Sequence, residues 1–286
     1  MEDLQALADD RNIPIERVGI TKLALPVMVR EKEDGYQHVL AEASMFVEVP
    51  AVIRATHMSR FVEVLHEWAD RPVSSTDIEA LIQKTRERAR SASAEAGLAF
   101  RYLIKKPAPV SGRIGAMDYA CSFSGRVDRG GYLFTLGVQV PVATLCPCSK
   151  AISYYGAHNQ RTVVDVHIEA LQEPIVWIED VIEAVENQAS SPLFSVLKRE
   201  DEKWVTERAY DNPKFVEDLV RDVVLELSAH PGIAALMVKC ESMESIHNHN
   251  AFASTTCITT SEGTPPAGHA LVSPSPVPVA TGIGES

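Results

Sequence analysis

The chain lacks several features that would place it in a membrane or outside the cell. No window approaches the ~18 consecutive apolar residues that a membrane-spanning helix requires. The acidic start Met1-Glu2-Asp3 is not followed by the apolar segment of a secretory signal peptide. Cysteine is scarce, with 5 residues at irregular spacings among 286, which favours reduced thiols over a disulfide framework. The sequence therefore predicts a cytoplasmic protein that does not bind membranes.

Basic residues are also in deficit. There are 27 Lys and Arg against 39 Asp and Glu, giving a formal net charge of −12. Such a chain has no basic face to neutralise phosphates, so we expect no nucleic-acid partner, although a local cluster of Lys and Arg can still hold one nucleotide. The GxGxxG fingerprint of dinucleotide-binding proteins is absent as well. The apolar content of 45% is enough for one large domain or two modest ones.

Functional groups are concentrated in the segment that follows the apolar, β-prone run from Tyr132 to Leu145. That run ends in Cys146-Pro147-Cys148, and His158 precedes a second β-branched run. The CxC spacing does not match the paired knuckles of a structural zinc site, but a thiolate with a nearby histidine suits a metal site that keeps an open position. The alternative is a pair of half-buried cysteines that only close a strand.

A second cluster lies near the end of the chain, between two further strand-like runs. Glu244 and His247 are three residues apart, and His249 follows after one asparagine. Carboxylate and imidazole groups are ligands for Zn, Fe or Mn. The alternative is a polar loop with solvated histidines. Because both clusters lie at the ends of predicted strands, we expect them to share one site.

The apolar periodicity predicts strand, strand, helix, helix, strand, strand, in that order and twice over. Ser75-Thr76-Asp77 is predicted to cap the second helix, Pro213 to open a helix, and residues 190–211 to be irregular. We predict a first unit at residues 1–125, a second at 126–261 and a disordered tail at 262–286. The tail is rich in Pro, Gly and Ser and has few residues to bury, so its His269 is not expected to be catalytic.

Five strings resemble the prokaryotic type IB GTP cyclohydrolases: ATHMSRFVEVL (55–65), TLCPCSK (144–150), YGAHNQR (155–161), DEKWVTERAYDNPKFVEDLVRD (201–222) and ESIHNHNA (244–251). The resemblance extends from about residue 12 to residue 260. It implies an α+β fold of tandem ββααββ tunnelling-fold (T-fold) units, whose antiparallel sheets form a barrel on oligomerisation. It also implies a homo-oligomer, a tetramer, since open sheet edges need partners.

The reaction implied by the resemblance is the metal-dependent hydrolysis of GTP at C8 to 7,8-dihydroneopterin triphosphate and formate. This is the first step of folate and deazapurine (queuosine) biosynthesis, and its cofactor is a divalent metal ion: Mn, Zn or Fe(II). The resemblance assigns metal binding to Cys146, Glu202, Glu244 and His247, proton transfer to Cys148 and His158, and substrate binding to Glu217, Lys150, Arg161 and His249. Glu217 anchors the purine in this assignment, and His57 and Arg60 are further candidates for the triphosphate.

Two alternatives stay open at this point. One is a purine-binding protein with a structural metal and no hydrolase activity. The other is a reductase of the queuosine pathway, which needs NADPH. Release of formate from GTP without a reductant discriminates against both. A reversible bond between Cys146 and Cys148 is a further hypothesis, which equal activity under mild oxidant and reductant contradicts.

Overall fold

The structure is a computed structural model, and it describes residue 5 and residues 8–33 and 35–259. The predicted tail at 262–286, with His269, lies outside these residues. Within the described chain two compact units are present. The first comprises the chain up to Arg101 together with Ser122–Leu136, and the second comprises Tyr102–Cys121 and the chain from Gly137 onward. The predicted unit boundary near residue 125 stays a prediction.

Ten strands and six helices form the described part of the chain. The strands are β1 (Ile15–Arg30), β2 (Tyr36–Val49), β3 (Pro72–Val73), β4 (Ala94–Pro107), β5 (Ile114–Asp128), β6 (Gly131–Leu145), β7 (Asn159–Ala170), β8 (Ser191–Pro192), β9 (Ile233–Met243) and β10 (Ala251–Ile258). The helices are α1 (Met58–His66), α2 (Ser75–Ala89), α3 (Pro147–Ile152), α4 (Ile178–Gln188), α5 (Arg199–Asp211) and α6 (Val216–Ser228). Among the described residues, no helix combines the length and apolar character needed to cross a membrane.

In the first unit the strand order is β6-β5-β4-β2-β1-β3. Strands β1 and β2 form a long antiparallel hairpin, and the short β3 runs parallel to the end of β1, with Met28 opposite Pro72. Helices α1 and α2 pack against each other and against this hairpin. Their buried faces follow the helical period, because apolar residues three and four apart share one side of a helix. The buried helical residues are Phe61, Val64, Leu65, Ile78, Leu81 and Ile82.

In the second unit the strand order is β10-β9-β7-β6-β5-β4, and β8 pairs with β6. Strands β7, β9 and β10 form antiparallel ladders in which Thr162 lies opposite Ser242. Helix α6 packs against α4, β9 and β10. Every second residue of β7 and β9 is buried, because strand side chains alternate between the two faces. Val164, Val166, Ile168, Leu236 and Val238 form the strand side of this core.

The predicted fold class, tandem tunnelling-fold units with antiparallel sheets, is wrong. The structure is an α+β fold with a mixed sheet, because β3 joins the sheet parallel to β1. Its two residues, Pro72 and Val73, lie between α1 and α2 where the chain returns to the sheet after a helix. A two-residue strand carries no period-2 pattern, so this parallel pairing cannot be predicted from the sequence pattern.

Three local predictions also change. The cap of α2 is Ser74, whose side chain accepts from the Asp77 amide in a capping box, one residue earlier than predicted. Helix α6 begins at Val216 after the N-cap Phe215, so Pro213 precedes the helix and does not open it. The segment predicted to be irregular contains α5, whose buried residues are Asp201 and Ala209, so this helix lacks the apolar stripe that usually indicates one.

Candidate functional site

The Cys/His segment begins where β6 ends and α3 starts. Cys146 is the N-cap of α3, and its Sγ accepts from the Ser149 amide at 3.5 Å. The Cys146 amide donates to the His158 carbonyl at 3.1 Å, and the Ser149 hydroxyl accepts from the His158 amide at 3.2 Å. Cys146 is half-buried and Cys148 is exposed. These backbone bonds fold the connection back on itself, so that residues twelve apart in sequence are adjacent.

The His158 ring faces a carboxylate and an amide. Its Nδ1 lies 3.9 Å from Glu244 Oε2 and 3.0 Å from Gln160 Oε1. The side chains of His158 and Glu244 are only 15% and 12% exposed, so water screens their attraction weakly. Continuing the ladder one step beyond the Arg161–Met243 pair places Glu244 opposite Gln160. The strand register therefore brings His158 and Glu244, one residue from each cluster, close together.

A row of buried hydroxyl groups runs from this pair into the sheet. Gln160 Nε2 donates to Thr144 Oγ1 at 3.2 Å, and Thr144 Oγ1 is 2.8 Å from Thr162 Oγ1. Thr162 in turn shares a hydrogen bond with Ser242 Oγ. The three hydroxyl residues are at most 1% exposed, and they lie on β6, β7 and β9 respectively. We call Thr144, Thr162 and Ser242 the hydroxyl ladder.

Both backbone polar groups of Leu145, the residue before Cys146, are hydrogen-bonded to distant segments. The Leu145 amide donates to Ser190 Oγ at 3.1 Å, and the Leu145 carbonyl accepts from the Lys214 amide at 3.0 Å. Ser190 is fully buried. A buried amide that lost this acceptor would carry the full desolvation cost. The position of the first thiol is therefore set by segments that are distant in sequence.

Lys150, predicted to bind substrate phosphate, is engaged by the end of α5. Its Nζ donates to the Tyr210 carbonyl at 2.5 Å and lies 4.2 Å from the centre of the Tyr210 ring. A cation over an aromatic face is stabilised by the ring quadrupole, and the last carbonyls of a helix also favour a positive charge. Lys150 thus joins α3 to α5. Arg161 is exposed on β7.

The loop between β9 and β10 carries the predicted metal-binding histidine. The rings of His247 and His249 are stacked with centroids 5.0 Å apart, and both residues are exposed. Cys146 sulfur, Glu244 oxygen and a histidine nitrogen are a donor set that suits Zn, Mn or Fe(II), so the residue chemistry fits a divalent metal. Within the residues that the structure describes, however, no three or more His, Cys, Asp or Glu side chains are grouped closely enough to hold an ion.

Two predicted carboxylates lie on helix surfaces. Glu217 is exposed in the first turn of α6, and Glu202 is exposed in the first turn of α5. The neighbour of Glu202, Asp201, is fully buried and accepts from the Val110, Ser111 and Lys198 amides at 2.8 Å each. Burial alone would raise the pKa of Asp201, but these bonds and the Ser111 hydroxyl hold it well below its usual range. Asp201 therefore fixes the start of α5, while Glu202 points to solvent.

Several residues around the site were missed by sequence reasoning: Gln160, the hydroxyl ladder, Ser190 and Tyr210. For the ladder a signal was present. Thr144, Thr162 and Ser242 each continue the buried phase of an alternating strand, where an apolar residue is expected. A polar residue in the apolar phase of three strands indicates a buried polar network. Ser190 and Tyr210 gave no such signal, because their roles depend on distant backbone.

A weakly screened imidazole–carboxylate pair beside a half-buried thiol, all at the ends of neighbouring strands, is typical of an enzyme. The family model described as type I GTP cyclohydrolase folE2 matches residues 1–253. The GTP cyclohydrolase FolE2 of Thiobacillus denitrificans is 49% identical over 253 residues, covering 88% of this chain and 93% of the relative. That of Geotalea uraniireducens is 45% identical over 253 residues, covering 88% and 92%. The chain belongs to the FolE2 family of type I GTP cyclohydrolases, and it is a hydrolase.

The fold is also similar to a solved structure of another kind. Uricase from Arthrobacter globiformis aligns with a TM-score of 0.51 at 8% sequence identity, covering 89% of this chain and 96% of the uricase. At that identity the likeness concerns the fold alone. The uricase-like, mixed-sheet α+β architecture replaces the tunnelling-fold class that the resemblance had implied.

Proposed function

We propose that the chain hydrolyses GTP at C8 of the guanine ring, releasing formate and yielding 7,8-dihydroneopterin triphosphate. The observation that supports this most is the match to the FolE2 family over residues 1–253. The geometry adds the close approach of His158 to Glu244 beside the Cys146 thiol. Such a reaction needs an activated water, a proton donor and acceptor, and a group that recognises the guanine edge.

The finer proposal is the metal-dependent, type IB form of the reaction. Cys146, Glu244 and His247 would hold the divalent ion, which would supply the Lewis acidity that activates water. Mn, Zn and Fe(II) all suit this mixed donor set. Glu202 is the weakest of the proposed ligands, since it lies on the exposed face of α5.

Proton transfer falls to Cys148 and His158. Cys148 is exposed in the first turn of α3, so substrate can reach its thiol. His158 is held by its own backbone and by Gln160, which leaves Nε2 free to exchange a proton with the substrate. Protonation of the leaving nitrogen and removal of a proton from the attacking water are the two steps that this pair performs.

We assign recognition of GTP to Glu217, Arg161, His249 and Lys150. The Glu217 carboxylate accepts two hydrogen bonds from guanine N1–H and the 2-amino group, a bidentate contact that an amide does not fully reproduce. Arg161 and His249 bind the triphosphate, and both are exposed. Lys150 contributes to that site once it exchanges its contact with Tyr210 for a phosphate.

We also propose that the enzyme acts as a homo-oligomer, a tetramer, at the first step of folate and deazapurine biosynthesis. Strand β10 lies at the end of the second unit's strand order, and its Phe252 is 61% exposed. An edge strand with an exposed aromatic residue is a surface that a second subunit commonly covers. Light scattering at several protein concentrations measures the subunit number.

The deciding experiment combines metal removal with product analysis. The chain is treated with a chelator and incubated with GTP and Mn(II), Zn(II) or Fe(II) in turn, without a reductant cofactor. Formate and, after oxidation, pterin fluorescence are measured. Restoration of both products by one metal supports the proposal and ranks the metals. If GTP binds but no metal restores formate, the chain is a purine-binding protein and the hydrolase mechanism is wrong.

Matched thiol variants test the roles of the two cysteines. Cys148→Ser is expected to lower kcat by about 100-fold or more, in the range for loss of a general acid or base, with metal content unchanged. Cys146→Ser is expected to lower the bound metal as well. Cys257→Ala is the control, because Cys257 pairs with Leu236 near the opposite end of β9 from Ser242.

A further inference from the structure

We propose that Gln160 is a positioning residue that fixes the tautomer of His158, and that the hydroxyl ladder fixes Gln160. The inference deepens the proposed function, since His158 is the proposed proton-transfer group. A neutral imidazole carries its proton on only one nitrogen, and the partner of one nitrogen decides what the other can do. The structure assigns the proton to Nδ1, which leaves Nε2 as the acceptor.

The Gln160 side chain is oriented by a contact at each end of its amide group. Its Oε1 lies 3.0 Å from His158 Nδ1, and its Nε2 donates to Thr144 Oγ1 at 3.2 Å. A side-chain amide has one accepting and one donating end, so the oxygen facing His158 requires an N–H at Nδ1. The nearby Glu244 carboxylate, 3.9 Å from Nδ1, favours the same assignment because a negative charge attracts the N–H dipole.

The hydroxyl ladder holds the donating end of the Gln160 amide. Thr144 accepts from Gln160, which leaves its own proton available to Thr162, whose Oγ1 lies 2.8 Å away. The Thr162 proton is then available to Ser242, with which Thr162 shares a hydrogen bond. Each hydroxyl has one proton, and a single direction from Gln160 to Ser242 gives each threonine both an acceptor for its proton and a donor to its oxygen. Because all three residues are buried, a broken bond is not compensated by water.

Three of the residues in this network lie on the same side of the chain where β7 begins. His158, Gln160 and Thr162 are two residues apart in turn, so an extended chain directs their side chains to the same side. Arg161, between them, is on the opposite side and exposed. The ladder thus connects the His158 ring, which lies in a loop, to three paired strands. A loop residue without such contacts would not be held in one orientation.

The test is a direct measurement of the tautomer in the full-length chain. The chain is labelled with ¹⁵N-histidine, and ring ¹⁵N spectra are recorded at alkaline pH, metal-free and with diamagnetic Zn(II). The spectrum of His158→Gln identifies the His158 signals among the 9 histidines. We expect a protonated Nδ1 in the parent chain and a mixture, or the Nε2–H form, in Gln160→Met.

Kinetics provide the second readout. Gln160→Met is expected to lower kcat by about 10- to 100-fold with little change in KM, as for other groups that orient an imidazole from behind. Gln160→Glu keeps an acceptor for Nδ1–H and allows the ladder to reverse, so it is expected to retain the tautomer and most of the activity. Thr144→Val removes the hydroxyl that accepts from Gln160 and keeps the shape of the side chain at position 144. It is expected to lower kcat by an intermediate amount.

Thr135→Val is the control for loss of a buried hydroxyl, since Thr135 lies nine positions earlier on β6. It is expected to leave the His158 signals unchanged. An Nε2–H ring in the parent chain, or an unchanged tautomer in Gln160→Met, overturns the inference whatever the activity. If the parent chain releases no formate from GTP while its ring is Nδ1–H, the proposed function fails and the positioning role stands.

Discussion

The buried ion pair of the second unit offers a quantitative test of what stabilises this fold. Lys106 Nζ lies 2.6 Å from Glu186 Oε2, and the two side chains are only 14% and 12% exposed. Lys106 also donates to the Leu193 carbonyl at 2.9 Å, and Glu186 accepts from the Tyr119 hydroxyl at 2.9 Å. Burial lowers the pKa of Lys106, and the attraction of Glu186 opposes that shift.

The perturbation is Lys106→Met, which keeps the aliphatic stem and removes the charge. Glu186 is then a buried carboxylate without its cation. Breaking a buried pair from one side costs about 3–5 kcal/mol. In Lys106→Met/Glu186→Gln the amide still accepts from Tyr119 and no charge is buried, so we expect a cost below the sum of the single variants by about 1–3 kcal/mol. Urea unfolding followed by circular dichroism measures the free energies.

An exposed pair on α5 is the matched control. Lys203 Nζ is 3.8 Å from Glu207, and these side chains are 73% and 63% exposed. Lys203→Met is expected to change the free energy of unfolding by about 0.3–0.5 kcal/mol. If Lys106→Met costs no more than this control, or if the double variant is additive, the reasoning about the buried pair is refuted.

Three further predictions concern the site and its supports. Asp201→Asn should destabilise the chain most near neutral pH. Because the pKa of Asp201 is lowered in the folded chain, its carboxylate stabilises the fold above the ordinary pKa of ~3.9, and this stabilisation is lost on acidification. The difference in urea midpoint between the two chains should therefore shrink below about pH 4. Ser190→Ala should cost about 1–3 kcal/mol and lower kcat, because the Leu145 amide before the first thiol loses its acceptor; equal stability and kcat would argue otherwise. A thiol reagent should modify exposed Cys148 in the folded chain and leave Cys240 intact, since burial raises the pKa of Cys240 to about 12, and mass spectrometry after brief labelling detects either result.

Much of the secondary structure could be predicted from the chain, because long amphipathic elements carry their own period. The strand predicted at Tyr132 to Leu145 is β6, at Gly131–Leu145, and the helix predicted to begin at Ser75-Thr76-Asp77 is α2, at Ser75–Ala89. Short or charged elements were missed, including β3, α3 and α5. Their formation depends on neighbours, such as the amides that Asp201 accepts, and not on a local pattern.

The site shows the same division. The candidate residues Cys146, His158 and Glu244 stand out in the sequence because thiol, imidazole and carboxylate groups are concentrated at strand ends. His158 and Glu244 come close together because of the strand register, since β7 and β9 pair with Thr162 opposite Ser242. No local rule predicts that register, because it is set by packing over the whole ladder.

By itself, the sequence determined the family, the order of the long strands and helices, and the candidate residues of the site. Each of these depends on residue identity or on a period within one segment. Only the tertiary structure decided the mixed sheet, the engagement of Lys150 by Tyr210 and the contact of Gln160 with His158. These depend on which distant segments lie side by side, and that is settled by the burial and hydrogen bonding of the folded chain as a whole.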